Sequence, residues 1–193
     1  MDLTIPLSQF SKFARYMSDW HKINQGHDDR VALLAVAIGE SLNGGLQMNS
    51  EQLMLLKYSA ELHDIGRVGI SNELMNKVGP LIDSEWAAIR EHSQIGHDAV
   101  RGILPEEICM AILHHHENYD GTGYPAGLIG EEIPVFSRII SIADRWDALR
   151  NKRPYRDALD FDSALHVLQL DARFLDPRLY TVFLKLIKAN NHL

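Results

Sequence analysis

Apolar residues recur three or four positions apart along almost the whole of this 193-residue chain, and that spacing commits it to helices. Val31, Leu34, Ala35, Ile38 and Leu42 form one stripe, halted by Asn43-Gly44-Gly45. Ser50, Gln52 and Leu53 open a second helix, whose inward positions Leu53, Leu56 and Ala60 lead down to His63-Asp64. Two glycines in Ile65-Gly66-Arg67-Val68-Gly69-Ile70 then break the period. Asp83 or Ser84 is placed to cap a helix carrying Trp86, Ile89, His92 and Ile95 at intervals of three. Pro105-Glu106-Glu107 suits a first turn, with proline at the start and acids near the positive end of the helix dipole. That helix is expected to run to His116. Others are expected over residues 135–149, 161–170 and 177–188. Leu7, Phe10, Phe13, Ala14 and Met17 outline an amphipathic helix near the N-terminus. No segment alternates as a strand would, although Val68-Gly69-Ile70 suits a short extended piece. The expected fold is an all-α helical bundle over residues 25–193, preceded by a helical segment, residues 1–24, whose role the sequence leaves open.

A hydrophobic content of 46% is enough for one substantial core. The single cysteine, Cys109, lies in an apolar run and reads as a buried, inert thiol, which excludes a disulfide framework and fits a reducing cytoplasm. The longest apolar run, Val31 to Ile38, falls far short of a membrane span. A formal charge of −7 argues against DNA, RNA or an anionic membrane as partner. An acidic chain still binds a phosphate where metal ions concentrate positive charge locally.

Ten histidines invite that reading, and their placement matters more than their number. His27 begins the first stripe, His63-Asp64 closes the second helix, and His92 follows Ile89 by three on an inward face. His115 and His116 fall in the last turn of their helix, about 100° apart. Asp144 follows Ile140 by four. Each has an ordinary reading alone: a helix-end pair for His63-Asp64, a hydrogen-bonded core histidine for His92, an exposed helix start for His27. For Asp144 it is an ion pair with Arg138 or Arg145. Together they would bury several charges, each costing several kcal/mol if unpaired, and a shared metal centre satisfies them all. Nitrogen and oxygen donors without thiolate suit Fe, Mn, Zn or Ni. Beyond the histidine pair comes Glu117-Asn118-Tyr119-Asp120-Gly121-Thr122-Gly123-Tyr124-Pro125, a loop whose glycines permit close backbone approach to a ligand.

The ordered set resembles the HD-GYP family, bacterial members of the HD-domain metal-dependent phosphohydrolases. It comprises His63-Asp64-Ile65-Gly66-Arg67, Glu91-His92, His115 through Pro125, Ile142-Ala143-Asp144 with Asp147, and Arg153-Pro154-Tyr155-Arg156. The resemblance implies an all-helical fold, a centre of two or three metals, usually iron or manganese, and hydrolysis of cyclic di-GMP to the linear dinucleotide, sometimes on to GMP. It implies His27, His63, Asp64, His92, His115, His116 and Asp144 as ligands, with Asp64 bridging. Asp64 and Arg67 would be catalytic; Gly123, Tyr124, Pro125, Asp147, Arg153 and Arg156 would lie on the substrate side. Glu117 or Asp147 would orient ligand imidazoles, and His114, pointing about 200° from His116, would be structural. A second copy of the chain or a signalling partner such as a GGDEF protein is the expected macromolecular contact. Two departures stand out. Ile23 occupies the position where the trinuclear subgroup has a metal-binding glutamate, so two metals and a linear product are expected. Arg67 replaces the usual lysine, keeping the charge but not the ability to give up a proton near neutral pH. The same residues leave open a weakly active receptor of cyclic di-GMP, or an enzyme for another cyclic dinucleotide such as cyclic GMP-AMP. A di-iron oxygenase on a related frame is the more distant alternative.

Overall fold

The helical spacing is realised as nine α-helices, with no strand among the described residues; the computed structural model describes residues 26–152 and 157–189. The amphipathic helix expected within residues 7–20, and Arg153 and Arg156, lie outside that range. In chain order the helices are α1 (His27–Glu40), α2 (Ser50–Leu62), α3 (Asn72–Met75), α4 (Asp83–Arg90) and α5 (His92–Val100). Then come α6 (Glu106–His114), α7 (Val135–Arg150), α8 (Phe161–Leu170) and α9 (Pro177–Ala189). None is long and apolar enough to cross a membrane.

Local signals account for most boundaries. Asn49 caps α2 by accepting from the Gln52 amide, and the Gln52 side chain accepts from the Asn49 amide in return. Asp160 caps α8 through the Ser163 amide, and Asp176 caps α9 through the Arg178 and Leu179 amides. At α4 the expected cap is displaced. Asp83 and Ser84 lie inside the helix, and the Glu85 carboxylate reaches back to the Ile82 amide instead. Val68 and Gly69 belong to a 3-10 turn, Ile65–Gly69, so extended backbone begins only at Ile70.

The main core joins α1, α2, α7, α8 and α9. Val31, Ile38, Leu56, Ile139, Trp146 and Phe183 are almost wholly removed from water there, each worth about 1.5–3 kcal/mol of hydrophobic stabilisation. Trp146 meets Phe161 and Phe183 edge to face at 5.5 and 5.4 Å between ring centroids. A smaller core beneath α5 and α6 gathers Leu62, Ile65, Val100, Ile108, Cys109 and Ile112. Burial there pushes the Cys109 thiol up to about 11, consistent with an inert role. Between α5 and the 3-10 turn the backbones nearly touch: a Cβ on Gly66 would stand 1.9 Å from the His92 carbonyl oxygen. Only glycine fits that contact, and it holds Asp64 and His92 against each other.

The single helix expected through Trp86, Ile89, His92 and Ile95 is two helices, parted at Glu91. The helix expected to reach His116 ends at His114, with His115 as its cap residue. Both differences bear on the site.

Candidate metal centre

The ends of α2, α4 and α6 converge, and each presents a histidine just past its last turn. A helix C-terminus leaves carbonyls without an intrahelical partner, and these histidines use them. His63 Nδ1 donates to the Ala60 carbonyl at 2.7 Å, His92 Nδ1 to Ile89 at 2.6 Å, and His115 Nδ1 to Ile112 at 2.7 Å. The donation fixes the tautomer and leaves Nε2 to face inward. His27 stands at the start of α1, where the backbone offers amides rather than carbonyls. Its Nδ1 takes Asp147 Oδ2 of α7 instead, at 2.6 Å.

Asp64 lies at the convergence, buried, and its two oxygens face opposite ways. Oδ1 is 3.3 Å from His92 Nε2 and 3.8 Å from His115 Nε2. Oδ2 is 3.5 Å from His63 Nε2 and 3.9 Å from His27 Nε2. Asp144 Oδ1 closes the His27 side at 3.2 Å, so neither Arg138 nor Arg145 takes it. Arg138 pairs with Asp176, and Arg145 with Asn118 and Asp171. Two groups with metal-ligating spacing result, sharing Asp64: Asp64, His92, His115 and His116, and His27, Asp28, His63 and Asp64. Nε2 of His27 and of His63 are buried without an aligned hydrogen bond. Inward-aimed imidazole nitrogens around a shared carboxylate fit divalent cations.

The electrostatics prepare the ligands differently. Burial and neighbouring imidazoles keep His115 and His116 neutral, His116 falling to about 3, and burial also lowers His63. Burial opposes charge on Asp64 and Asp144 too, but Arg67 and His63 around the first, and His27 beside the second, hold both ionised. Burial likewise works against a charged His27, yet its bonds to Asp144 and Asp147 raise it to about 9. Asp28 is lifted to about 8 by burial and by the charge of Asp64. It packs 3.6 Å from His63 Nδ1. The sequence signal for Asp28 was its adjacency to His27, masked by the ordinary preference for acids in a helix first turn.

Arg67 is committed to Asp64, Nη2 to Oδ2 at 2.8 Å. Asp147 is occupied on both oxygens, by His27, by Arg30 Nε at 2.6 Å and by Asn151 at 2.8 Å. Its geometry matches one of the two roles expected of it, that of a group orienting His27. Glu117 orients no ligand imidazole. Buried, it accepts from the Ala126 and Leu128 amides at 2.7 and 3.2 Å and meets His114 Nδ1 at 3.4 Å, which pins the Gly-Tyr-Pro loop from behind. His114 thus has the structural place expected of it. A Cβ on Gly123 would fall 2.2 Å from the Asn118 amide nitrogen, so this glycine lets the loop fold onto its own base. Tyr124 then stacks on His116, centroids 4.8 Å apart and planes 29° apart, while Pro125 is exposed. Arg90, unremarked in the sequence, lies over the same tyrosine ring at 5.1 Å.

The HD domain family pattern matches residues 12–179. The cyclic di-GMP phosphodiesterase response regulator RpfG of Xanthomonas campestris is 35% identical over 161 residues, covering 81% of this chain and 42% of that protein. The 3'3'-cGAMP-specific phosphodiesterase 3 of Vibrio cholerae is also 35% identical, over 162 residues, 83% of this chain and 34% of the relative. The chain therefore spans less than half the length of these relatives. Among solved structures, an HDGYP protein from Bdellovibrio bacteriovorus superposes with a TM-score of 0.67 at 22% identity, over 84% of this chain and 51% of that one. At that identity the likeness concerns the fold.

Proposed function

We propose that this chain, which belongs to the HD-domain family in its HD-GYP branch, is a metal-dependent phosphodiesterase that opens cyclic di-GMP to the linear dinucleotide. The observation that carries this reading is the division of Asp64, one oxygen toward His92 and His115, the other toward His27 and His63. Such a carboxylate is built to hold two cations at a fixed separation. His27, His63 and Asp144 would complete one site and His92, His115 and His116 the other, with iron or manganese as the proposed ions. When bound, paired divalent ions supply a water of lowered pKa and neutralise phosphoryl charge.

The chain's own groups define the rest. Asp147 holds His27 in the tautomer that presents Nε2. Arg67 neutralises Asp64 and brings a fixed positive charge beside the site, where it stabilises phosphoryl oxygens but donates no proton near neutral pH. Tyr124, stacked on His116, forms an aromatic border to the site. Ile23 offers no donor for a third metal, which supports an end product of linear dinucleotide rather than GMP.

Incubation of iron- or manganese-loaded protein with cyclic di-GMP should give the linear dinucleotide. Asp64→Ala should abolish turnover and lower bound metal below one ion per chain. Intact substrate across iron, manganese, zinc and nickel over a range of pH would refute the proposal. The equal identity to a cyclic GMP-AMP phosphodiesterase favours a second reading, that the mixed dinucleotide is the preferred substrate. Competition between the two nucleotides at equal concentration separates them.

A further inference from the structure

The break at Glu91 has an effect on which side chains reach the site. In an unbroken α-helix, residues two apart point about 200° away from each other. Arg90 and His92 instead reach the same aromatic cluster. His92 lies 5.0 Å from the His116 ring, and Arg90 lies over Tyr124, which itself stacks on His116. The chain therefore presents a guanidinium that reaches His116 through one aromatic ring, with the Tyr124 ring as its support.

Among the described residues, other arginines near the centre are already bound: Arg67 to Asp64, Arg30 to Asp147, Arg145 to Asn118 and Asp171. Arg90 is exposed, and its contact with the Tyr124 ring face is an interaction that consumes none of its N–H donors. A guanidinium supported in this way keeps a planar fork free for a phosphate. A cyclic dinucleotide carries two phosphodiesters, and a dinuclear centre acts on one at a time.

We propose that Arg90 is a substrate-binding residue that holds the second phosphodiester, the one not being cleaved, beside the Tyr124 ring. The proposal rests on the phosphodiesterase reading above. It assigns Arg90 a part in affinity for two-phosphate ligands and none in the bond-breaking step.

The test compares metal-loaded wild type, Arg90→Ala and Arg90→Lys on cyclic di-GMP and on bis(p-nitrophenyl) phosphate, a diester with a single phosphate. For cyclic di-GMP, Arg90→Ala should raise KM about tenfold, the effect of losing one charge-assisted contact. Its kcat should stay within about twofold, with lysine restoring part of the loss by its charge alone. Metal content and turnover of the one-phosphate diester should not change. An unchanged KM for cyclic di-GMP overturns the proposal. So does an equal loss on both substrates, which would mark Arg90 as a mere prop for Tyr124. A loaded wild type that cleaves no cyclic dinucleotide refutes the phosphodiesterase reading itself, and this proposal falls with it.

Discussion

The two halves of the candidate metal centre share Asp64 and differ at one histidine: His27 alone is oriented by a carboxylate from another helix, while His63, His92 and His115 lean on carbonyls at helix ends. The half containing His92, His115 and His116 comes from α5 and the end of α6, packed over the smaller core. It is rich in imidazole, and two of its histidines, His92 and His115, are oriented by carbonyls left over at helix ends. The half containing His27, His63 and Asp144 joins α1, α2 and α7, elements up to 120 residues apart, through the main core. It is rich in carboxylate, and its helix-start histidine must borrow an acceptor from α7. Backbone polarity decides which device is available: a C-terminus supplies acceptors without further help, whereas an N-terminus does not.

The largest test of this contrast is a change that strikes both halves at once. Gly66→Ala drives a methyl group into the His92 carbonyl. It should separate Asp64 from His92, destabilise the fold by about 3 kcal/mol or more, and remove both metals, measured by thermal denaturation and metal analysis. Asp147→Asn is expected to act on one half. It removes the charge that orients His27 and should weaken one metal site about 10- to 100-fold, leaving the other unchanged, as titration calorimetry can resolve. The smallest effect is that of pH. His27 retains its proton up to about pH 9, so a metal must displace it. Loading of that half should weaken about tenfold for each unit of acidification from pH 8 to 6. His115 and His116, already neutral, should impose no comparable loss on the other half. Equal pH dependence of both sites would erase the distinction.

Much of this was legible in the chain. Apolar spacing located the helices because each buries a stripe against a core, and the histidines stood out because imidazoles and acids repeatedly fell at inward positions. What escaped was set by relations between elements. Nothing in the local propensity of Arg90-Glu91-His92 announces a break, since Glu91 itself keeps right-handed helical dihedrals. The break falls where α5 seats against Gly66. Asp28 looked like ordinary helix-start chemistry, and only the arrival of His63 from α2 gives it a buried, electrostatically loaded position. Asp147 was seen as near the site, but its direction depends on Arg30 and His27, residues from the other end of the chain.

The use of helix ends to aim His63, His92 and His115 has a consequence for how such a chain can vary over generations. One residue inserted into or deleted from α2, α4 or α6 rotates everything beyond it by about 100°. That would carry a histidine out of the centre and strand its carbonyl partner together with it. Substitutions along the outer faces of these helices are cheap by comparison. The lengths of these three helices should therefore drift far more slowly than their surfaces, with insertions collecting in the loops between them.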